Sequence, residues 1–417
     1  MKKDFHRKVL SNGMIVIFEK RDLPVVSVAF AVRNGGVNEA AEEKGISHFI
    51  EHMLYKGTPT RPSNNAVTSE IEKKGGIING FTSDINTAYW CKMPSKHLNI
   101  ALDVLGDMVK NPLFDEKELE KERKVIFEEI KMCHDDPLHH SFIEVDKCLY
   151  GGPFSGGILG DKDSLNSIDR EGMSKKFKEI YQPNNLILCV VGDANFEGVV
   201  KFAEENFEEG KGKIPEFKVK LKNEIKIEKR KGIDQANLVF AYHVPFGNDK
   251  KKYAAQVLIT LMAGGLSSRL FHEIREKRNL AYAIKGGSDI TKYFGKNFVY
   301  VGTSKENVEL VRKLILEEFE KVAKSLDEKE LAEIKEQMIG NYQISMEDSQ
   351  SQMVNLLFSE IDGDASEFYE FEKNISEVKL EDVKNLAKIK NYSFFVLEPS
   401  EEDQSLPRFP PKLGKED

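Results

Sequence analysis

The chain has 417 residues, 40% of them hydrophobic and 31% charged, with a formal net charge of −8. That length fits two or three domains, and the low, mixed-sign charge argues against a nucleic-acid partner. No window holds the roughly 18 apolar residues needed to cross a bilayer, and the basic start Met1–Arg7 has no apolar run behind it, so neither a membrane span nor a secretory leader is expected.

In chain order, Met14–Glu19 and Val25–Val32 are rich in Val and Ile and read as strands, with a turn at Asn12-Gly13. Lys44–Lys56 and Ser63–Lys74 read as helices, the second stopped by Gly75-Gly76. Ile77–Thr82 and Thr87–Met93 are strands paired across Ser83-Asp84-Ile85-Asn86. Lys96–Lys110, ended by Pro112, and Glu116–His134 are long helices. Met173–Tyr181 is a further helix, Asn185–Val191 a strong strand, and Phe196–Phe207 closes the half. Glu208–Pro215 is charged, glycine-bearing and aperiodic, which is linker composition. The order then restarts with strands at Ile225–Lys229 and Leu238–His243 and helices at Lys251–Met262 and Ser268–Arg278. Strands at Ala281–Gly287 and Asn297–Thr303, helices between Val308 and Phe358, a strand at Tyr392–Leu397 and a polar, proline-bearing tail from Glu398 follow. Two halves of about 200 residues with similar element order predict an internal duplication. The scattered cysteines Cys91, Cys133, Cys148 and Cys189 show no C-x-x-C spacing and read as reduced thiols in a cytoplasmic protein.

The chemistry concentrates in His48-Phe49-Ile50-Glu51-His52. Residues four apart stand one turn from each other on one helix face. Two imidazoles with an acid between them can hold zinc and work on its water, and H-x-x-E-H is the inverted form of the zinc-peptidase motif. A catalytic zinc takes three protein ligands and leaves one position open, so a third ligand must come from elsewhere. The helix Glu116–His134 offers Glu118, Glu120, Glu122, Glu128 and Glu129. Glu122 and Glu129 are seven apart and share a face, and Val125, Ile126 and Ile130 form an apolar stripe that would press this helix inward. The second half has Leu266–His272 at the place of the motif, which cannot bind zinc in the same way. His97, His139 and His140 lack partners at metal spacing and read as surface or capping residues. Gly151–Gly157 lacks the Lys-Ser/Thr ending of a phosphate loop and reads as a flexible loop.

In these motifs the sequence resembles the inverted-motif zinc peptidases of the pitrilysin, insulysin and mitochondrial processing peptidase group. Gly45–Thr58, Glu122–Ile126 and Ser268–Phe271 with Arg275 and Tyr282 carry the resemblance, in the right order along nearly the whole chain. It implies that the third zinc ligand follows the motif after 76 intervening residues, which is Glu129, and that Glu122 supports the site. It implies that Glu51 is the proton carrier, with one zinc ion per chain. Asn79, Gly80 and Phe81 would form an edge strand to which peptides add; Gly80 stands where the family often has alanine. Arg275 and Tyr282 would reach the active site from the facing half of a closed chamber.

The expected fold is α+β, with two duplicated domains, each a mostly antiparallel sheet packed with helices. The zinc-bearing domain is expected over 1–210, a linker over 211–224, and a second domain without the metal motif over 225–417. Long family members fuse two such pairs. A chain with one pair is expected to form a homodimer, in which Arg275 and Tyr282 serve the partner's zinc. The expected activity is zinc-dependent endopeptidase action on peptides or unfolded segments; the acidic balance points to basic peptides. The alternative is a non-catalytic or partner-dependent subunit of a processing-peptidase-like assembly.

Overall fold

The computed structural model describes residues 4–400, so Met1–Lys3 of the basic start and the tail from Glu401 lie outside the described residues. The first half runs β1 Phe5–Val9, β2 Ile15–Lys20, β3 Val25–Val32, α1 Ile46–Leu54, α2 Asn64–Glu72, β4 Ile77–Thr82, β5 Thr87–Pro94, α3 Leu98–Lys110, α4 Glu116–Asp135, α5 Pro137–Leu149, β6 Tyr150–Gly151, α6 Lys162–Ser167, α7 Arg170–Ile180, β7 Leu186–Gly192 and α8 Phe196–Asn206. The second runs β8 Lys220–Leu221, β9 Ile225–Arg230, β10 Ala236–His243, α9 Lys252–Ala263, β11 Ala281–Ile290, β12 Gly295–Thr303, α10 Val308–Ser325, α11 Glu328–Ser345, α12 Ser349–Asp362, α13 Phe371–Ser376, α14 Leu380–Leu386 and β13 Ser393–Pro399.

The duplication is visible in the two sheets, ordered β1-β2-β7-β3-β5-β4 and β11-β12-β10-β13-β9. Read from the hairpin edge, β4-β5-β3-β7-β2 repeats as β11-β12-β10-β13-β9. In both, the half's last strand is antiparallel to the central strand and parallel to the outer one. The fold is thus α+β, with two mostly antiparallel sheets. β3, β7 and β10 are buried along almost their whole length. Both faces of each sheet are covered, which is why these strands read as unbroken apolar runs.

One face of the first sheet packs on α1 and α3 through Phe49, Ile50, Met53, Val104 and Leu105. The second sheet has its own core, with Phe240, Leu258, Met262 and Phe319. The remaining faces share a core. There the halves exchange helices: α5 lies on β10 and β13, and α12 lies on β3 and β7. Glu360 of α12 is buried and receives Nε of Arg7 at 2.7 Å and Nη2 of Arg33 at 3.1 Å. The segment between the sheets is held down, with Asn38 donating to the Pro215 carbonyl at 2.8 Å and Asn184 to the Gly212 carbonyl at 3.0 Å.

Three expectations need correction. β1 was missed because its polar sequence, FHRKV, hides a strand that pairs with β2 from Phe5 to Val9. α5 was missed although Asp136-Pro137 is a start signal: Asp136 caps the amides of Leu138 and His139, and proline fits the first turn. The helix expected over Ser268–Arg278 contains a π-turn at Phe271–Glu276, where Lys277 N donates to His272 O at 2.9 Å, and it closes at Asn279 with φ 53°.

Candidate metal centre

α1 places the motif. Its N-cap residue, Gly45, has no side chain to cap with and sits at φ 90°, and a Cβ on it would come within 2.5 Å of the Leu159 carbonyl oxygen. Glu39 does the capping instead, accepting from Gly45 N at 2.9 Å and Ser47 N at 2.8 Å. Phe49, Ile50, Met53 and Leu54 go into the core. That fixes the helix rotation and leaves His48, Glu51 and His52 facing α4 and β4.

α4 starts at Asp115, which caps the amides of Lys117 and Glu118. Leu119, Glu122, Arg123 and Ile126 are its buried residues. Val125, expected in the inward stripe, is instead 43% exposed, because the buried face runs through 119, 122, 123 and 126. The Arg123 guanidinium covers the Phe49 ring at 5.4 Å and donates to the Leu165 and Ile168 carbonyls, tying α4 to α1 and to the C-terminal end of α6.

The outcome is a convergence of three donors. Oε2 of Glu129 lies 3.7 Å from Nε2 of His48 and 3.5 Å from Nε2 of His52. One ligand atom from each of the three residues falls within 4.8 Å of the others. Zinc bonds of about 2.0–2.1 Å in a tetrahedron separate neighbouring ligands by about 3.4 Å, so these donors fit such an ion with small shifts. Nδ1 of His48 is buried with no hydrogen-bond partner among the described residues. Burial, helped by the neighbouring His52, pushes the His48 pKa down to about 3, which keeps its imidazole neutral as a ligand must be. For His52, burial pulls the pKa down, but the hydrogen bond to Glu122 and the charges of Glu129 and Glu51 outweigh it and raise it. Glu122 accepts from Nδ1 of His52 at 3.0 Å, turning Nε2 toward Glu129.

Glu51 is buried beside this cluster, with Oε2 accepting from the Thr82 hydroxyl at 2.6 Å. Burial raises its pKa, with the Thr82 hydrogen bond and His52 opposing. Thr82 was not anticipated, although strand alternation could have found it: Gly80 and Thr82 share the face of β4 that meets α1. Among the described residues β4 is the edge of the six-stranded sheet and pairs only with β5, Asn79 opposite Trp90 and Phe81 opposite Ala88. Phe81 turns the other way and stacks on Phe358 with ring centroids 5.8 Å apart.

Arg275 and Tyr282 are brought to each other, the guanidinium 5.8 Å from the tyrosine ring and 4.8 Å from the Phe271 ring. Among the described residues, no hydrogen bond, ion pair or ring contact joins them to the three-donor cluster. Tyr282 is 73% exposed on β11, the edge of the second sheet. His140 is a correction: it is buried, and its Nε2 lies 3.0 Å from Oε2 of Glu228 across the seam between the halves. The four cysteines are free thiols. No helix among the described residues is long and apolar enough to cross a membrane.

Residues 15–153 match the model of the insulinase (M16) peptidase family, and residues 167–338 match that of the M16 inactive domain. The uncharacterized zinc protease YmxG of Bacillus subtilis is 31% identical over 94% of this chain and 98% of its own. An uncharacterized zinc protease of Rickettsia felis is 30% identical over 83% of this chain and 85% of its own. The fold matches a protease from Helicobacter pylori with TM-score 0.88 at 22% identity, over 95% of this chain and all of that one. An M16 inactive-domain structure from Pseudomonas fluorescens matches with TM-score 0.85 at 20% identity, over 95% of this chain and 98% of that one.

Proposed function

Because this chain belongs to the M16 peptidase family, we propose that it is a zinc-dependent endopeptidase acting on peptides or unfolded segments, with one zinc ion per chain held by His48, His52 and Glu129. The observation that carries the reading is the convergence of those three donors beside a buried acid that ligates nothing. A zinc ion held there would supply Lewis acidity toward a carbonyl and would bring the pKa of water down toward about 7.

The chain's own residues do the rest. Glu51 accepts the proton of the attacking water on its carboxylate and delivers it to the leaving amine nitrogen. Its raised pKa brings it closer to the working pH, as a group that both takes and returns a proton requires. Thr82 holds one carboxylate oxygen and so orients the group for transfer. Glu122 fixes the tautomer of His52. Among the described residues no strand pairs with the outer side of Asn79, Gly80 and Phe81, where Gly80 N donates to Oδ1 of Asn79 at 2.8 Å, and an extended peptide adds to this edge through main-chain hydrogen bonds. Since Phe81 packs on Phe358, this edge binds by backbone, with little side-chain choice.

Tyr282 and Arg275 complete the site from a second copy of the chain. The tyrosine hydroxyl donates to the developing oxyanion, and the arginine holds substrate carbonyls. The exposure of Tyr282 and its lack of contact with its own chain's cluster support a homodimer with shared sites enclosing a chamber. They equally fit the second reading, a chain that works only beside a different partner. The four free thiols support a cytoplasmic location. Cleavage of a mixed peptide library by the pure protein, with and without chelator, read by mass spectrometry alongside gel filtration, tests this. Chelator-sensitive cleavage from a dimer is expected. No cleavage by the zinc-loaded protein would overturn it.

A further inference from the structure

Gly80 has a spatial reason to be glycine. A Cβ built on it would stand 2.9 Å from the Tyr55 hydroxyl oxygen, 3.0 Å from the Ala88 carbonyl oxygen and 3.1 Å from Oε1 of Glu51. The missing side chain leaves a notch on β4, and two polar groups of the adjoining helix turn point into it. Tyr55 follows Glu51 by four residues, which puts both on one side of α1. The Tyr55 hydroxyl is buried and makes no hydrogen bond among the described residues, a costly state for a donor. The neighbouring Tyr89 hydroxyl is already paired with Tyr181 at 2.8 Å. Oε2 of Glu51 has Thr82, while Oε1 faces the notch.

We propose that Tyr55 is a positioning residue for Glu51, its hydroxyl donating to Oε1 across the gap that Gly80 leaves. Each carboxylate oxygen then has its own donor, and the proton carrier is held in one rotamer. This rests on the reading of Glu51 as the proton carrier.

The test uses Tyr55→Phe, Gly80→Ala and Glu51→Met, singly and combined, in the full chain. In the zinc-loaded protein, Tyr55→Phe lowers kcat on a fluorogenic peptide about tenfold with KM and zinc content unchanged. Gly80→Ala lowers kcat similarly, because its methyl crowds the hydroxyl. The pair is no slower than Tyr55→Phe alone, because that methyl then occupies the hydroxyl's place. In the metal-free protein, Tyr55→Phe lowers Tm by about 2 °C, and this loss vanishes in the Glu51→Met background. Three results overturn the proposal: unchanged kcat in Tyr55→Phe; a higher Tm in that variant, the mark of an orphan hydroxyl; or a Tm loss that persists without Glu51, the mark of a bond to Ala88. An inactive parent enzyme would overturn the peptidase reading instead, and the metal-free Tm cycle would still decide the contact.

Discussion

Nδ1 of His52 lies 3.0 Å from Oε2 of Glu122, and the other oxygen of that carboxylate meets Nζ of Lys56 at 2.6 Å. The pair decides which ring nitrogen carries the proton and leaves Nε2 free toward Glu129. Burial alone would raise the Glu122 pKa; the hydrogen bonds from His52 and Lys56 outweigh it and hold the carboxyl below its usual range, so the acceptor stays charged. Glu122→Ala is therefore expected to weaken zinc binding by about 10–100-fold, measured by competition with a chromophoric chelator. Unchanged affinity would reduce Glu122 to a partner of Lys56.

Glu51→Gln separates metal binding from proton transfer. The amide keeps the shape and can still accept from Thr82, but it cannot take a proton. A kcat fall of about 10²–10⁴-fold is expected, with full zinc content by elemental analysis. Thermal stability should hold or rise, because a buried carboxylate is replaced by a neutral group. If zinc is lost together with activity, Glu51 belongs to the metal site and the assigned roles are wrong.

The motif helix and its two histidines were legible because a four-residue spacing maps directly onto one helical turn. The sheets were legible because strands buried on both faces leave unbroken apolar runs. Glu129 could be chosen among its neighbours only through the family resemblance. Spacing alone admitted Glu122 equally, and the two turn out to do different work, one beside Nε2 and one beside Nδ1. Glu39 and Arg123 were invisible because their partners are main-chain atoms or lie far along the chain, whereas Thr82 had a signal in the alternation of β4. Val125 misled because an apolar residue next to Ile126 does not share its face. The exchange of α5 and α12 between the halves has no local signal: each helix is amphipathic, and nothing in its pattern says whose sheet it covers.

The seam between the halves predicts a pH effect. Asp84, at the tip of the β4–β5 hairpin, shares it with Asp146 and with Lys296, whose Nζ lies 3.4 Å from Oδ2 of Asp289. Burial, then Asp146, raises the Asp84 carboxyl to about 6, with Asp289 adding and Lys296 and Lys44 opposing. The unfolded value is about 4, so the folded state holds the proton more tightly. The stability this contributes is complete below about pH 4 and lost as pH rises through 6. Asp84→Asn is expected to stabilise the metal-free protein by roughly 1–3 kcal/mol at pH 8 and little near pH 4. Denaturant unfolding at both pH values checks this. A variant less stable than the parent at pH 8 would show that the charged form is the one the seam is built for.

The shared-site dimer makes a quantitative claim. Mix chains carrying Glu51→Gln with chains carrying Tyr282→Phe, each impaired alone. In a mixed dimer, the Tyr282→Phe chain keeps its own Glu51 and receives an intact Tyr282 from its neighbour, so that site is whole. The other site carries both lesions. Random exchange makes half the dimers mixed, each with one of two sites whole, so about a quarter of parental activity should return. Recovery should fall on dilution as dimers part. A Tyr282 acting within its own chain predicts no recovery at any mixing ratio, because every site would then keep the lesion of its own chain.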